Sequence, residues 1–364
     1  MSQRGVRLQG REGLILVVGL WSLAAWGVLR FFPREGRLPA DREAVSAAEI
    51  MADGLTAIRA CRESGGPPID RRSDPNRTGL IGLEDSLITT SPGQIEAKRT
   101  TTNPNFAAAL VHLFRAAGAR HGDAVAIGAS SSFPGLILAT LAASKAMGLR
   151  PLLVASLGAS NWGANDPGWT WLEIAACLVR AGIVEARPIA VSVGGEGDEG
   201  RDMPLPGRLL LETKIRASGV PQIAEGDLAS DVAARVAAFE KAAAGAPLKV
   251  FVNVGGSWAN MGTDAEILKL KPGLNLMTPP TAPERSGLIR EMAGRGKPVI
   301  HLLYVKGLAD QFGLPWDPVP LPAPGEGFKA VESGAHRAVR PAILLLYVLG
   351  ALLAFSQMSR RASR

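Results

Sequence analysis

Two near-unbroken apolar runs frame this chain, one over residues 13–32 and one over residues 341–358, and a middle of roughly 300 residues lies between them. Each run approaches the length needed to cross a hydrocarbon layer of roughly 30 Å at about 1.5 Å per residue, the second only just. The chain is therefore expected to carry a transmembrane helix at each end, with basic tails at 1–12 and 359–364. A buried core helix is the alternative for the second run. A signal peptide is the alternative for the first, because Arg4, Arg7 and Arg11 precede an apolar stretch that reaches the small residues Ser22-Leu23-Ala24. That stretch continues through Trp26, Val28 and Leu29, which favours an uncleaved anchor. Basic residues on the two sides of each run nearly balance. The reading taken is a cell (inner) membrane protein with both tails cytoplasmic and an extracytoplasmic middle.

The 364 residues are 47% hydrophobic and 20% charged, which excludes disorder for most of the middle and leaves room for one large core or two modest ones. The net charge of +7 resides largely in the tails and juxtamembrane stretches, where it serves orientation and headgroup contact, so charge names no ligand. The two cysteines, Cys61 and Cys177, are too few for a disulfide framework, and neither is assigned a redox or metal role. No His, Cys and acidic residues stand at metal-ligand spacing, no cofactor is implied, and no basic aromatic stripe suggests nucleic acid.

From residue 123 onward, short β-branched runs alternate with stretches of helical period, the pattern of βαβ units. The expected fold is α/β, a mainly parallel doubly wound sheet of five to six strands occupying 123–314. Strands are expected at 124–128, 151–156, 188–193, 249–254 and 298–304, with a shorter one near 220–223. Helices are expected at 134–147, 170–181, 206–218, 227–243 and 282–293, several with Pro in the first turn or an Asp cap. Residues 33–122 read as a lead-in, with helices at 41–62 and 103–119 around an irregular surface segment at 64–91. Residues 315–340 read as a Pro-rich linker.

Four expected strands end in small polar residues, at 128–132, 158–162, 194–198 and 255–260. In a parallel sheet these ends converge on the carboxyl edge, where open α/β folds bind ligands and where glycines let backbone N–H groups approach an anion. Tight turns are the bland explanation for any one of them. The candidates for a polar ligand are Ser130, Ser131, Ser160, Asn161, Asn165, Gly194, Gly195, Asn253, Gly256 and Ser257. Lys98, Arg99, Thr101, Asn103 and Asn105 add cations, a hydroxyl and amides around a helix start, a candidate carboxylate cradle. The clusters 158–165 and 255–262 resemble each other, through a faint duplication or through chance.

Ser130, Ser131 and Ser132 invite a nucleophile reading, with His301 as the base, although the Gly-x-Ser-x-Gly pattern is not met and a satisfied core histidine is the commoner fate. Residues 195–200 match Gly-x-Gly-x-x-Gly, but three acids there would repel phosphate and the next helix starts only near 206.

Leu87-Ile88-Thr89-Thr90, then residues 96–106, the turn 128–135 and Gly158-Ala159-Ser160-Asn161-Trp162-Gly163-Ala164-Asn165 together resemble the poly-gamma-glutamate system protein family, over about 79–304. The resemblance implies a membrane-anchored accessory component of synthesis or export of a capsule-type polymer, with the polymer or glutamate, the lipid bilayer and membrane subunits of that machinery as partners. It implies a pathway and no catalytic residues. A carboxylate-bearing polymer would suit the cleft. The alternatives are a serine-type hydrolase trimming γ-glutamyl chains and a scaffold for the ligase and export subunits.

Overall fold

The computed structural model describes residues 19–23, 26, 41–277, 285–326, 344–350 and 352–353. Leu38–Ala330 forms one compact unit; Met1–Arg37 and Val331–Arg364 form another. In the larger unit, a long helix α1 (Arg42–Gly65) is followed by α2 (Ile95–Thr100) and α3 (Asn105–Ala116). Then come β1 (Ala124–Ser130), α4 (Pro134–Ala146), β2 (Arg150–Ser156), α5 (Trp171–Arg180), β3 (Ala190–Ser192), α6 (Leu205–Ser218) and α7 (Leu228–Ala243). The chain continues through β4 (Leu248–Val254), α8 (Trp258–Met261), β5 (Gly273–Asn275), α9 (Leu288–Gly294), β6 (Val299–Leu302) and α10 (Val305–Phe312).

The six strands form one sheet in the order β3-β2-β1-β4-β6-β5. All neighbours are parallel except β5, which runs antiparallel to β6 at the edge. The α/β reading therefore holds, as a mostly parallel six-stranded sheet. The expected strand near 220–223 reduces to a single bridge between Val191 and Gln222. The sixth strand is instead β5, whose three residues are too few to show a period.

Successive side chains of a strand point to opposite faces. Ala124, Ala126, Leu152, Val154, Phe251 and Val299 therefore share a face and pack with Val232, Val236 and Phe239 of α7 and with Leu288, Ile289 and Met292 of α9. Their neighbours Val125, Ile127, Val250 and Val252, equally buried, belong to the opposite face. There α4 packs against β1 and β2, with α1 and α3 against α4. Local chemistry sets the helix starts: Pro134 occupies the first turn of α4, Thr170 and Glu173 close a capping box on α5, and Asp227 accepts from the Ser230 amide at α7.

The irregular segment expected on the surface at 64–91 is instead partly buried. Asp74 accepts from the Thr78 and Gly79 amides, Arg62 reaches the Gly79 and Ile81 carbonyls, and Leu80, Ile81 and Ile88 are enclosed. The Pro-rich stretch is also held down as far as it is described. Asn105 donates to the carbonyls of Ala323 and Glu326 and accepts from the Gly325 amide, while Asn76 donates to the Pro318 carbonyl.

Among the described residues no helix is long and apolar enough to cross a membrane. The flanking spans expected at 13–32 and 341–358 thus find no support in the fold, and most of their residues lie outside the described ones. In the smaller unit, residues 19–23 and 344–350 are helical. Ser22 Oγ and Tyr347 OH are 3.0 Å apart across 325 residues of sequence.

Candidate functional site

The strand order reverses between β1 and β4, and the turns after these two strands and after β2 and β3 open onto a cleft of about 320 Å³. Open α/β sheets place ligands at this switch point, because the loops diverge there above and below the sheet. Close approach of the turns depends on Gly255, whose φ is 80° and whose missing Cβ would stand 3.1 Å from the Ser130 Cβ. An L side chain there would meet strain and crowding together.

Lys98 enters the cleft from below, carried by α2. It is 2% exposed, and its Nζ donates to the Ser132 carbonyl at 2.5 Å and approaches Ser160 Oγ to 2.6 Å. The ammonium lies 3.8 Å from the centroid of the Phe133 ring. Burial alone pushes this lysine down to about 7, with no carboxylate beside it to restore the charge. Ser132 Oγ receives hydrogen bonds from Ser130 Oγ at 2.8 Å and from the Ser160 amide at 3.0 Å. The turns after β1 and β2 are thus joined through three serines and one lysine.

A second polar layer supports the far side. Asp198, following Gly197, has left-handed backbone, φ 67°, and its carboxylate turns inward to the Arg235 guanidinium and to the hydroxyls of Ser156 and Ser192. Of the three acids expected to repel phosphate at 195–200, this one is neutralised from within, and Glu199 pairs with Arg201. The loop holds a single 3-10 turn at Glu196–Asp198, and no α-helix opens until Leu205. Asp202 lines the cleft, and burial raises its carboxyl above the usual carboxylate range, with Glu196 adding repulsion.

The cleft brings together Lys98, Ser130, Ser132, Ser160, Gly195, Gly256 and Ser257 of the sequence-derived candidates. The others lie outside its lining. Arg99 turns away to grip Asp317, so the expected pair of cations is divided. Thr101 donates to the Lys98 carbonyl, Asn103 accepts from the Asn105 amide, and Asn105 holds the Pro-rich stretch. Ser131 Oγ donates to the Ser156 carbonyl. Asn161 and Asn165 brace the lead-in segment through Gly93, Glu84, Leu83 and Thr89. Gly194 packs against Ser156. His301 is buried on β6 with its Nδ1 2.9 Å from the Asn253 Nδ2, and desolvation pushes it down to about 4. It lies outside the lining that holds Ser130 and Ser132, and its surroundings are those of the satisfied core histidine that was the commoner reading. The resembling clusters 158–165 and 255–262 part ways: only the second contains a helix, α8.

Sequence reading overlooked Ser156, Asp202 and the roof residues Thr90 to Gln94. Gly93 of that roof would place a Cβ 3.2 Å from Ser160 Oγ and 2.8 Å from the Asn161 carbonyl, so only glycine lets it lie over the lysine. The proline and glycine at 92–93 were the available signal, just past the segment 64–91 expected on the surface.

Cys61 of α1 and Cys177 of α5 are joined by a disulfide with a Cα separation of 6.2 Å. The sequence, with only two cysteines and too few for a disulfide framework, assigned them no role, and the fold brings them together across 116 residues. Among the described residues no group of three or more His, Cys, Asp or Glu could hold a metal ion. Comparison with protein families, with curated proteins and with solved structures finds no match.

Proposed function

We propose that this chain is a membrane-tethered, extracytoplasmic component of a poly-gamma-glutamate-type system, and that its cleft binds the carboxylate-bearing polymer or its glutamyl unit. The observation that carries the reading is the convergence of Lys98 with Ser130, Ser132, Ser160 and Ser257 on one cleft at the carboxyl edge of the sheet. A chain bearing one carboxylate per residue needs hydroxyl and backbone donors at close spacing and a cation that need not already be paired. Part of the cleft lining comes from the residues of the family resemblance: Thr90, Lys98, Ser130, Ser132, Phe133, Gly158 and Ser160.

Two further observations favour a tether and an oxidising compartment. The apolar terminal segments expose Leu20, Leu23, Leu345 and Leu353, each at least 60% accessible, a surface that suits lipid or apolar subunits. The Cys61–Cys177 disulfide fits a domain outside the reducing cytosol.

The test is calorimetric titration of the full chain in detergent with γ-linked oligoglutamate, with the α-linked isomer as control, at low and high salt. A γ-selective heat that survives salt is expected. A carboxylate beside Lys98 raises the lysine pKa from about 7, so binding takes up a proton above neutral pH, read as a heat that depends on buffer ionisation. Absence of heat, or a signal screened equally for both polymers, would overturn the polymer site.

A further inference from the structure

A serine hydroxyl becomes a useful nucleophile when a neutral base lies within hydrogen-bond reach and a third group orients that base. Lys98 and Ser160 meet these conditions. The Nζ is 2.6 Å from Ser160 Oγ, and the Ser132 carbonyl accepts one N–H of the same amine at 2.5 Å. A neutral amine has one lone pair, and with a hydrogen engaged by that carbonyl the lone pair is free to accept the Ser160 hydroxyl proton. Burial without a counter-charge keeps the amine neutral in a large share of molecules near pH 7. Both residues line the cleft.

A donor for a developing oxyanion stands next to the pair. The two lone pairs of Ser132 Oγ are filled by Ser130 Oγ and by the Ser160 amide, so its own proton is left to point elsewhere. That hydroxyl lies in the cleft wall, attached to the backbone of the prospective nucleophile.

We propose that Ser160 and Lys98 are the nucleophile and general base of an acyl-transfer site that takes a carboxylic amide or ester. Lys98 accepts the Ser160 proton as Oγ bonds to the carbonyl carbon, and the Ser132 hydroxyl donates to the carbonyl oxygen as it gains charge. The tetrahedral adduct collapses by breaking the bond from carbon to nitrogen or alkoxide oxygen, and the leaving group departs with the proton held by Lys98. Water, deprotonated by the same lysine, then attacks the ester on Ser160, releasing a carboxylic acid and restoring the hydroxyl. The site differs from the sequence-level hydrolase reading, in which Ser130, Ser131 or Ser132 acts with His301, and it does not depend on polymer binding.

The experiment is labelling of the detergent-solubilised full chain with a fluorophosphonate, followed by peptide mass mapping. One adduct on Ser160 is expected, forming faster as pH rises through about 7 and slowed at least about 100-fold in Lys98→Met. Because the chain's two cysteines are joined to each other, Ser160→Cys introduces the sole free thiol. Its iodoacetamide alkylation should titrate below the ordinary thiol value of about 8.5 and return towards it in Ser160→Cys combined with Lys98→Met. That readout, with the parent chain's adduct mapping, does not require Lys98→Met alone to fold as well as the parent. No adduct, an adduct on another serine, or rates indifferent to Lys98→Met would overturn the proposal while leaving the polymer site standing. A polymer titration without heat would remove the polymer site and leave this one.

Discussion

Arg235 of α7 and Asp198 of the loop after β3 form an ion pair in which both side chains are almost wholly removed from solvent, 2% and 0% exposed. The pair spans 37 residues of sequence and ties a loop without regular strands or long helices to the rigid helix beneath the sheet. Through Ser156 and Ser192 it also fixes the ends of β2 and β3, from which the far wall of the cleft is built.

Removing one member leaves the other charge buried and alone. Asp198→Asn or Arg235→Met should destabilise the chain by about 3–5 kcal/mol, read from urea unfolding. The double variant should recover part of that loss, because it removes both desolvation costs. Additive single and double effects would show that the pair contributes no coupling.

The disulfide joins α1 to α5, closing a loop across 116 residues. Reduction, or Cys61→Ser with Cys177→Ser, should cost about 2–5 kcal/mol, measured as the shift in urea midpoint with and without dithiothreitol. An unchanged midpoint would mean that the helices dock equally well without the bond.

Lys98 imposes a pH dependence of definite sign. Its folded value of about 7 lies below the unfolded value of about 10.4, so the unfolded chain binds more protons between these limits and stability rises with pH across that window. The rise should be on the order of 5 kcal/mol, and Lys98→Met should flatten it. Below pH 7 the variant should equal or exceed the parent in stability, since it avoids burying a charge while losing two hydrogen bonds worth about 1 kcal/mol each.

His301 acts in the acid range. Its folded value of about 4 lies below an unfolded value of about 6.5, so its contribution is intact above pH 6.5 and declines as pH falls towards 4. Protonation would set a ring N–H against the Asn253 amide donor. His301→Gln should reduce the loss of stability between pH 6.5 and 4 and leave fluorophosphonate labelling unaltered; altered labelling would place the ring in the chemistry.

Arg99 and Asp317 hold the Pro-rich stretch over α2, with Asp317 also donating its amide to Thr100. Asn105→Ala together with Asp317→Ala should release residues 315–326, seen as faster limited proteolysis there with little change in global stability. A surface-exposed linker, as the sequence suggests, would be cut equally fast in the parent.

The periodic elements were legible in the chain itself. Alternating aliphatic runs such as Val250-Phe251-Val252 and capped or Pro-initiated helices such as α4 and α5 state their structure locally, and a parallel sheet with its polar turns on one edge follows from their order. The local code extends as far as backbone propensity and burial period reach. It stops at β5, too short for a period, and at residues 64–91, whose glycines and prolines look like surface loop until Arg62 and Asp74 satisfy their backbone groups. Which polar side chains meet was decided by the tertiary fold alone. Adjacent Lys98 and Arg99 point apart because α2 presents them to different surroundings, one to the serine turns and one to Asp317. Ser160 and Lys98 meet across 62 residues, and Cys61 and Cys177 across 116. Such pairings depend on where strands and helices dock, and docking is set by the whole buried surface and not by neighbouring residues.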